Sequence, residues 1–282
     1  MLKMEANSFK CVSLAKSTQS AYRSHLRAYL RFCVFFGCVP VPADNDTLCC
    51  YVAFLARSLS SSSISSYMNI IRILHLDAGL PNPIENNWEV MMIKRGVSRV
   101  KGVPPKQKMP ITLEILRDFF VHLDHVFSPF DKSFWAACLV AFYGFFRKST
   151  ILPVSATSPP GICRLDVINF SFSSFEIVVK HSKTIQFGQR THTLPFAACA
   201  DPRLCPVRAL WSHLSTSPTP SSHHLFAYRA HGRIHLLTHS VFVKKLKELI
   251  VVSGRSPSEY SAHSFRRGGV LLRFLSTCLC WR

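Results

Sequence analysis

Apolar positions in the first hundred residues recur at helical spacing, with few runs that alternate as a strand would. Tyr22, Leu26, Tyr29, Leu30, Cys33 and Phe36 form one stripe, with Arg23, Arg27 and Arg31 on other faces. Ser17 or Thr18 suits the cap of this helix, and Gly37 with the prolines at 40 and 42 ends it. A second helix follows Asp44 and carries Leu48, Tyr51, Val52, Phe54 and Leu55. The serine run from Ser58 to Ser66 is low in complexity, yet it opens a capped third helix with Ile64, Tyr67, Ile70, Ile71 and Leu74 on its buried side. A fourth helix is predicted from about Glu85 to Arg99.

The pattern breaks at Lys101 to Pro110 (KGVPPKQKMP), where proline, glycine and lysine mix without period and a linker is predicted. Thr112 opens a new helix (TLEILRDFFVHL), and Phe134 to Phe146 is an unbroken apolar run. Its 13 residues fall short of the ~20 that cross a bilayer, so it reads as a buried helix with Arg147 mounted at its end, and no membrane partner is expected. Three short strand-like runs follow, Arg164 to Phe170, Glu176 to Lys180 and Thr191 to Pro195, with Lys183 in the turn between the last two. Cys205 to Leu214 and Ser240 to Val252 read as helices. The expected fold class is mainly α with a small antiparallel β-sheet. The expected division is a flexible N-terminus (1–16), a helical domain (17–100), a linker (101–110) and an α+β domain (111–282).

Composition adds that the chain folds: 48% of its 282 residues are hydrophobic, enough for one large or two moderate cores. Charge adds a partner. The net charge is +19, and both halves are basic, with 14 Lys and Arg against 6 Asp and Glu up to Pro110, and 20 against 9 beyond it. Two basic domains suit a polyanion clamped between them, although a generally basic soluble protein gives the same totals. Arg23 and Arg27, one turn apart, can face one partner together, and Lys94, Arg95, Arg99 and Lys101 can track a DNA backbone. The latter group equally suits a solvated basic helix end. The eleven cysteines are odd in number and irregular in spacing, and the N-terminus has no apolar signal segment, so reduced thiols in an intracellular protein are expected. Neither they nor His223 and His224 have zinc-ligand spacing, and no metal or cofactor is expected.

The candidate chemistry is cationic. Arg147 in GFFRKS, Lys183 in HSKT, and His263 with Arg266 in HSFRRGG are the residue types that stabilise the extra charge of a phosphoryl-transfer transition state. Taken alone, each has a plainer reading: Arg147 as a cation at a helix C-terminus, Lys183 as a solvated turn lysine, and His263 as a structural histidine beside surface arginines. Their order, together with the RLDV segment (Arg164 to Val167), SKTIQ and CPVRAL (Cys205 to Leu210), resembles the tyrosine recombinases of the phage-integrase superfamily. The flavour is that of the recombinases of DIRS-like and Crypton mobile elements. The resemblance covers roughly Ser17 to Gly269.

The resemblance implies a helical SAM-like core-DNA-binding domain, an integrase-like catalytic domain, double-stranded DNA as partner and a homo-oligomer on that DNA. A nuclear location follows from the DNA partner and the eukaryotic flavour. Arg147 corresponds to the first catalytic arginine, Lys183 to the hairpin lysine, and His263 and Arg266 to the HxxR pair. In such enzymes a tyrosine attacks a DNA phosphate without metal and forms a 3′-phosphotyrosyl link. The arginines donate paired hydrogen bonds to the phosphate, the lysine acts as general acid, and the histidine orients the phosphate. This chain departs from the pattern after Gly269. No tyrosine lies in Val270 to Arg282, and Tyr260, the last one, precedes His263. The expectation is a catalytic domain truncated after about 269, inactive in strand cleavage, with apolar surface exposed for want of the covering helices. A non-catalytic DNA-binding regulatory module derived from a mobile element is the alternative.

Overall fold

The computed structural model describes residues 1–102, 107–126, 128–155, 157–158, 161–180, 182 and 191–279. It divides into two compact units, Met1–Pro105 and Lys106–Arg282.

The first unit is helical throughout: α1 (Leu2–Val12), α2 (Lys16–Phe36), α3 (Asn45–Ala56), α4 (Ser61–Asp77) and α5 (Trp88–Lys101). Three of these begin at side-chain caps, in which Asp44, Ser60 and Asn87 accept hydrogen bonds from the backbone N–H groups of Thr47, Ser63 and Val90. The segment expected to be a flexible N-terminus is helical in α1, with its described side chains exposed. The core gathers Tyr29, Phe32, Leu48, Tyr51, Ile64, Met68, Ile71 and Val90. The face α2 buries follows most of the stripe read in the sequence, with Tyr29 and Cys33 buried and Tyr22 and Leu26 packed on the core, but Phe32 is buried in place of Leu30 and Phe36, which are exposed. Phe32 packs against the buried Tyr51, their ring centroids 4.9 Å apart, and that contact sets the rotation of α2. His75, buried in α4, donates from Nδ1 to the Ile71 carbonyl (2.8 Å) and accepts the Ala43 N–H at Nε2 (2.9 Å), so both ring nitrogens are satisfied.

The second unit is built around α7 (Pro129–Tyr143), in which every residue from Ser133 to Phe142 is buried. Around it lie α6 (Leu113–Val121), α8 (Lys148–Ile151), α9 (Pro206–Thr216), α10 (His239–Val252) and α11 (His263–Leu279). A three-stranded antiparallel sheet runs in the order β1 (Val167–Ile168), β2 (Ser174–Val179), β3 (His192–Ala197). Its β2–β3 register pairs Phe175 with Phe196, whose rings stack at 4.6 Å, and Ile177 with Leu194. A second hairpin, β4 (Ala227–Ala230) and β5 (Arg233–Leu236), turns through His231 and Gly232, both at positive φ.

The run from Arg164 to Phe170 is only briefly a strand. Arg164 to Asp166 forms a 3-10 turn because the Asp166 carboxylate accepts the Cys163 N–H (2.8 Å), closing the chain on itself before β1. Among the described residues, no helix is long and apolar enough to cross a membrane.

Candidate phosphate-binding site

α7 ends at Tyr143, and the chain then turns through Gly144, Phe145 at positive φ, and Phe146, so Arg147 is not the last residue of the buried helix. It is instead the residue that starts α8, extended in backbone and half-buried. Arg266 comes to it from α11. That approach depends on two glycines. A Cβ on Gly268 would lie 1.7 Å from the Ile111 carbonyl oxygen, and one on Gly269 would lie 2.0 Å from that of Phe142. α11 therefore packs backbone against backbone on the end of α7 and on the segment that leads into α6, which no larger residue permits.

Arg266 is half-buried and its guanidinium is held below its ordinary range, first by burial and then by the charge of Arg147. The two cations thus feel one another. Neither takes part in an ion pair among the described residues, although arginines elsewhere in this unit do: Arg255 with Asp118 at 2.7 Å, Arg117 with Asp201 at 3.2 Å, and Arg203 with Asp201 at 3.1 Å. The adjacent Arg267 is also engaged, donating to the Lys108 carbonyl and to Gln107 Oε1. His263 stands one turn before Arg266 on α11, exposed, its backbone N–H on Ser261 Oγ at 3.2 Å. The arrangement is a pair of guanidiniums close enough to feel one another's charge, with no ion-pair partner among the described residues and an imidazole on the helix of Arg266, and it is suited to an oxyanion with several oxygens.

Lys183 lies outside the described residues. Its neighbour Lys180 is bound to the buried carboxylate of Asp166 at 2.6 Å, which holds the Lys180 ammonium above its ordinary range, by hydrogen bonding first and charge second. Arg164 donates from Nη2 to the Ala227 carbonyl (3.0 Å) and to that of Ser217. The RLDV segment is thus a brace that ties the 3-10 turn to the end of α9 and to β4.

In the first unit, Arg23 and Arg27 are exposed on α2. Lys94, Arg95 and Arg99 line an open groove of about 690 Å³ together with Asn86 and Val90. Lys101 is drawn the other way, its ammonium on the Ala56 carbonyl at the end of α3. Sequence reasoning missed His239, the first residue of α10, whose Nε2 lies 3.3 Å from the carbonyl oxygen of Lys148, next to Arg147. Nothing in the sequence around it, THSVF, marks that contact. α11 continues past Gly269 and leaves Val270, Leu271, Phe274 and Leu275 exposed.

No family model matches the chain. It is 26% identical over 268 residues to an integrase/recombinase xerD homolog of Selenomonas ruminantium, covering 91% of this chain and 73% of that protein. Its fold matches that of the Tn1549 transposon integrase in complex with circular intermediate DNA (TM-score 0.56, 11% identity, 95% of this chain and 84% of that one). It also matches the XerH site-specific recombinase bound to palindromic difH substrate (TM-score 0.53, 15% identity, 83% of this chain). The match spans 62% of the XerH chain. The chain is thus similar in sequence to an integrase/recombinase and shares the fold of solved proteins of the tyrosine recombinase/integrase kind.

Proposed function

We propose that this chain is a DNA-binding protein of the site-specific tyrosine-recombinase kind, with Arg147 and Arg266 as joint ligands of one DNA phosphate. The observation that carries the reading is the half-buried pair itself. Two guanidiniums brought together without a carboxylate lower stability, and a phosphate with two nonbridging oxygens offsets that cost by accepting from both. His263 then orients the phosphate, and Lys183 occupies the sequence position of the family's general-acid lysine. Arg23, Arg27, Lys94, Arg95 and Arg99 contribute sequence-independent contacts along the duplex, which accounts for the basic character of the first unit. On this reading the protein works on double-stranded DNA in the nucleus, with further copies of itself. For a polypeptide of these 282 residues alone, with no tyrosine after Arg266, we propose DNA binding without formation of the phosphotyrosyl bond.

The test is a nicked-duplex trapping assay combined with equilibrium binding over a salt series. The expected result is binding that weakens steeply with salt, no denaturation-resistant adduct, and a roughly 10- to 100-fold loss of affinity in Arg147→Ala and in Arg266→Ala, the scale of a lost charge-assisted hydrogen bond. An adduct abolished by Tyr260→Phe would overturn the assignment of binding without cleavage. Affinity indifferent to salt and to both arginines would overturn the site.

A further inference from the structure

Arg147 is the cap residue just before α8, a helix only four residues long, so the placement of that helix sets where the guanidinium leaves the backbone. Within α8, the Lys148 carbonyl accepts the Leu152 N–H at 2.8 Å and the Arg147 carbonyl accepts the Thr150 N–H at 2.9 Å. From outside, Gly161 passes so close that a Cβ there would be 2.9 Å from the Thr150 carbonyl oxygen. Ile151 and Leu152 anchor its far end in the core, and His239 adds a polar hold. Its backbone N–H donates to the Pro153 carbonyl at 2.9 Å, and its ring Nε2 reaches the Lys148 carbonyl at 3.3 Å. One residue thus grips both ends of the α8 segment from the start of α10.

A carbonyl only accepts, so the ring carries its proton on Nε2. Burial first, and the charge of Lys148 second, hold the imidazole below its ordinary range, against the pull of the Lys148 and Leu152 carbonyls, and keep it neutral near pH 7. Neutrality fits the place. A lysine or arginine would add a cation beside Arg147 and Lys148, and a carboxylate would compete with phosphate for the guanidinium. An aliphatic residue would leave the second acceptor site of the Lys148 carbonyl unused.

The geometry points to His239 as a positioning residue for Arg147: its Nε2–H fixes the first turn of α8, and with it the direction from which the guanidinium meets a phosphate oxygen, while adding no charge to the site. This rests on the reading of Arg147 as a phosphate ligand.

A double-mutant cycle on the full chain tests it, with a nicked duplex of fixed sequence as probe. His239→Ala is expected to weaken binding roughly 3- to 10-fold, the scale of one hydrogen bond, and to have no further effect when Arg147 is already alanine. His239→Gln, whose amide N–H reaches the place of Nε2, restores affinity, and His239→Asn, which is too short, does not. An equal loss from His239→Ala in both backgrounds would mark a merely structural role and overturn the inference, as would no loss at all. If Arg147→Ala costs nothing, the phosphate reading itself fails, and amide exchange over Lys148–Leu152 decides the positioning separately. Exchange accelerated by His239→Asn and restored by His239→Gln upholds it, and exchange unchanged in both overturns it.

Discussion

Two charged regions of the second unit are built from the same residue types and reach opposite states. Around Asp166, the charges have partners: Arg164 is spent on backbone carbonyls, and Lys180 rests on the Asp166 carboxylate, which also closes the Cys163 turn. Around Arg147 and Arg266, two half-buried cations adjoin and neither has an ion-pair partner among the described residues. The first arrangement is what a fold does with charge for its own stability. The second lowers stability, and a ligand is what makes sense of it. The contrast reaches down to neighbours, since the Arg267 guanidinium is hydrogen-bonded and that of Arg266 has no such partner among the described residues.

Three substitutions test how deep that contrast runs. The largest effect on stability is expected from Asp166→Ala, which strands the buried Cys163 N–H, while the exposed Lys180 ammonium turns to water, and should cost roughly 2 kcal/mol. In urea, the midpoint should fall with an unchanged slope. Arg267→Ala, which removes two half-exposed donors, should cost about 1 kcal/mol in the same experiment. Arg266→Ala should change stability by no more than about 0.5 kcal/mol, or raise it by relieving the repulsion from Arg147, while DNA affinity falls. If Arg266→Ala proved as destabilising as Asp166→Ala, the two regions would not differ in kind.

The helices of the first unit were legible because their caps and periods are local. Asp44, Ser60 and Asn87 are each followed within one turn by the N–H they cap. What escaped sequence reasoning depends on packing between distant segments. The stripe of α2 was right for Tyr22, Leu26, Tyr29 and Cys33 and missed Phe32, which packs on Tyr51, a residue on another helix. The β4–β5 hairpin has short strands with weak alternation, and its signal is the His231–Gly232 turn alone. At the site, the residue types could be picked out in order, but their convergence could not. Arg147 and Arg266 are 119 positions apart, and the contact that joins them is made by glycines, which carry no side chain for a pattern to register. The RLDV segment shows the reverse case, a mark of resemblance whose residues do structural work.

The adjoining guanidiniums have a consequence for how this protein is handled. A state that binds an anion which the unfolded chain binds poorly gains free energy with the logarithm of anion concentration, about 1.4 kcal/mol for each tenfold rise above the dissociation constant. The folded protein should then have no single melting temperature. It should melt higher in sulfate or phosphate than in chloride of equal ionic strength, and Arg266→Ala should lose most of the difference. The buffer becomes a ligand, and a thermal scan becomes a titration of the site.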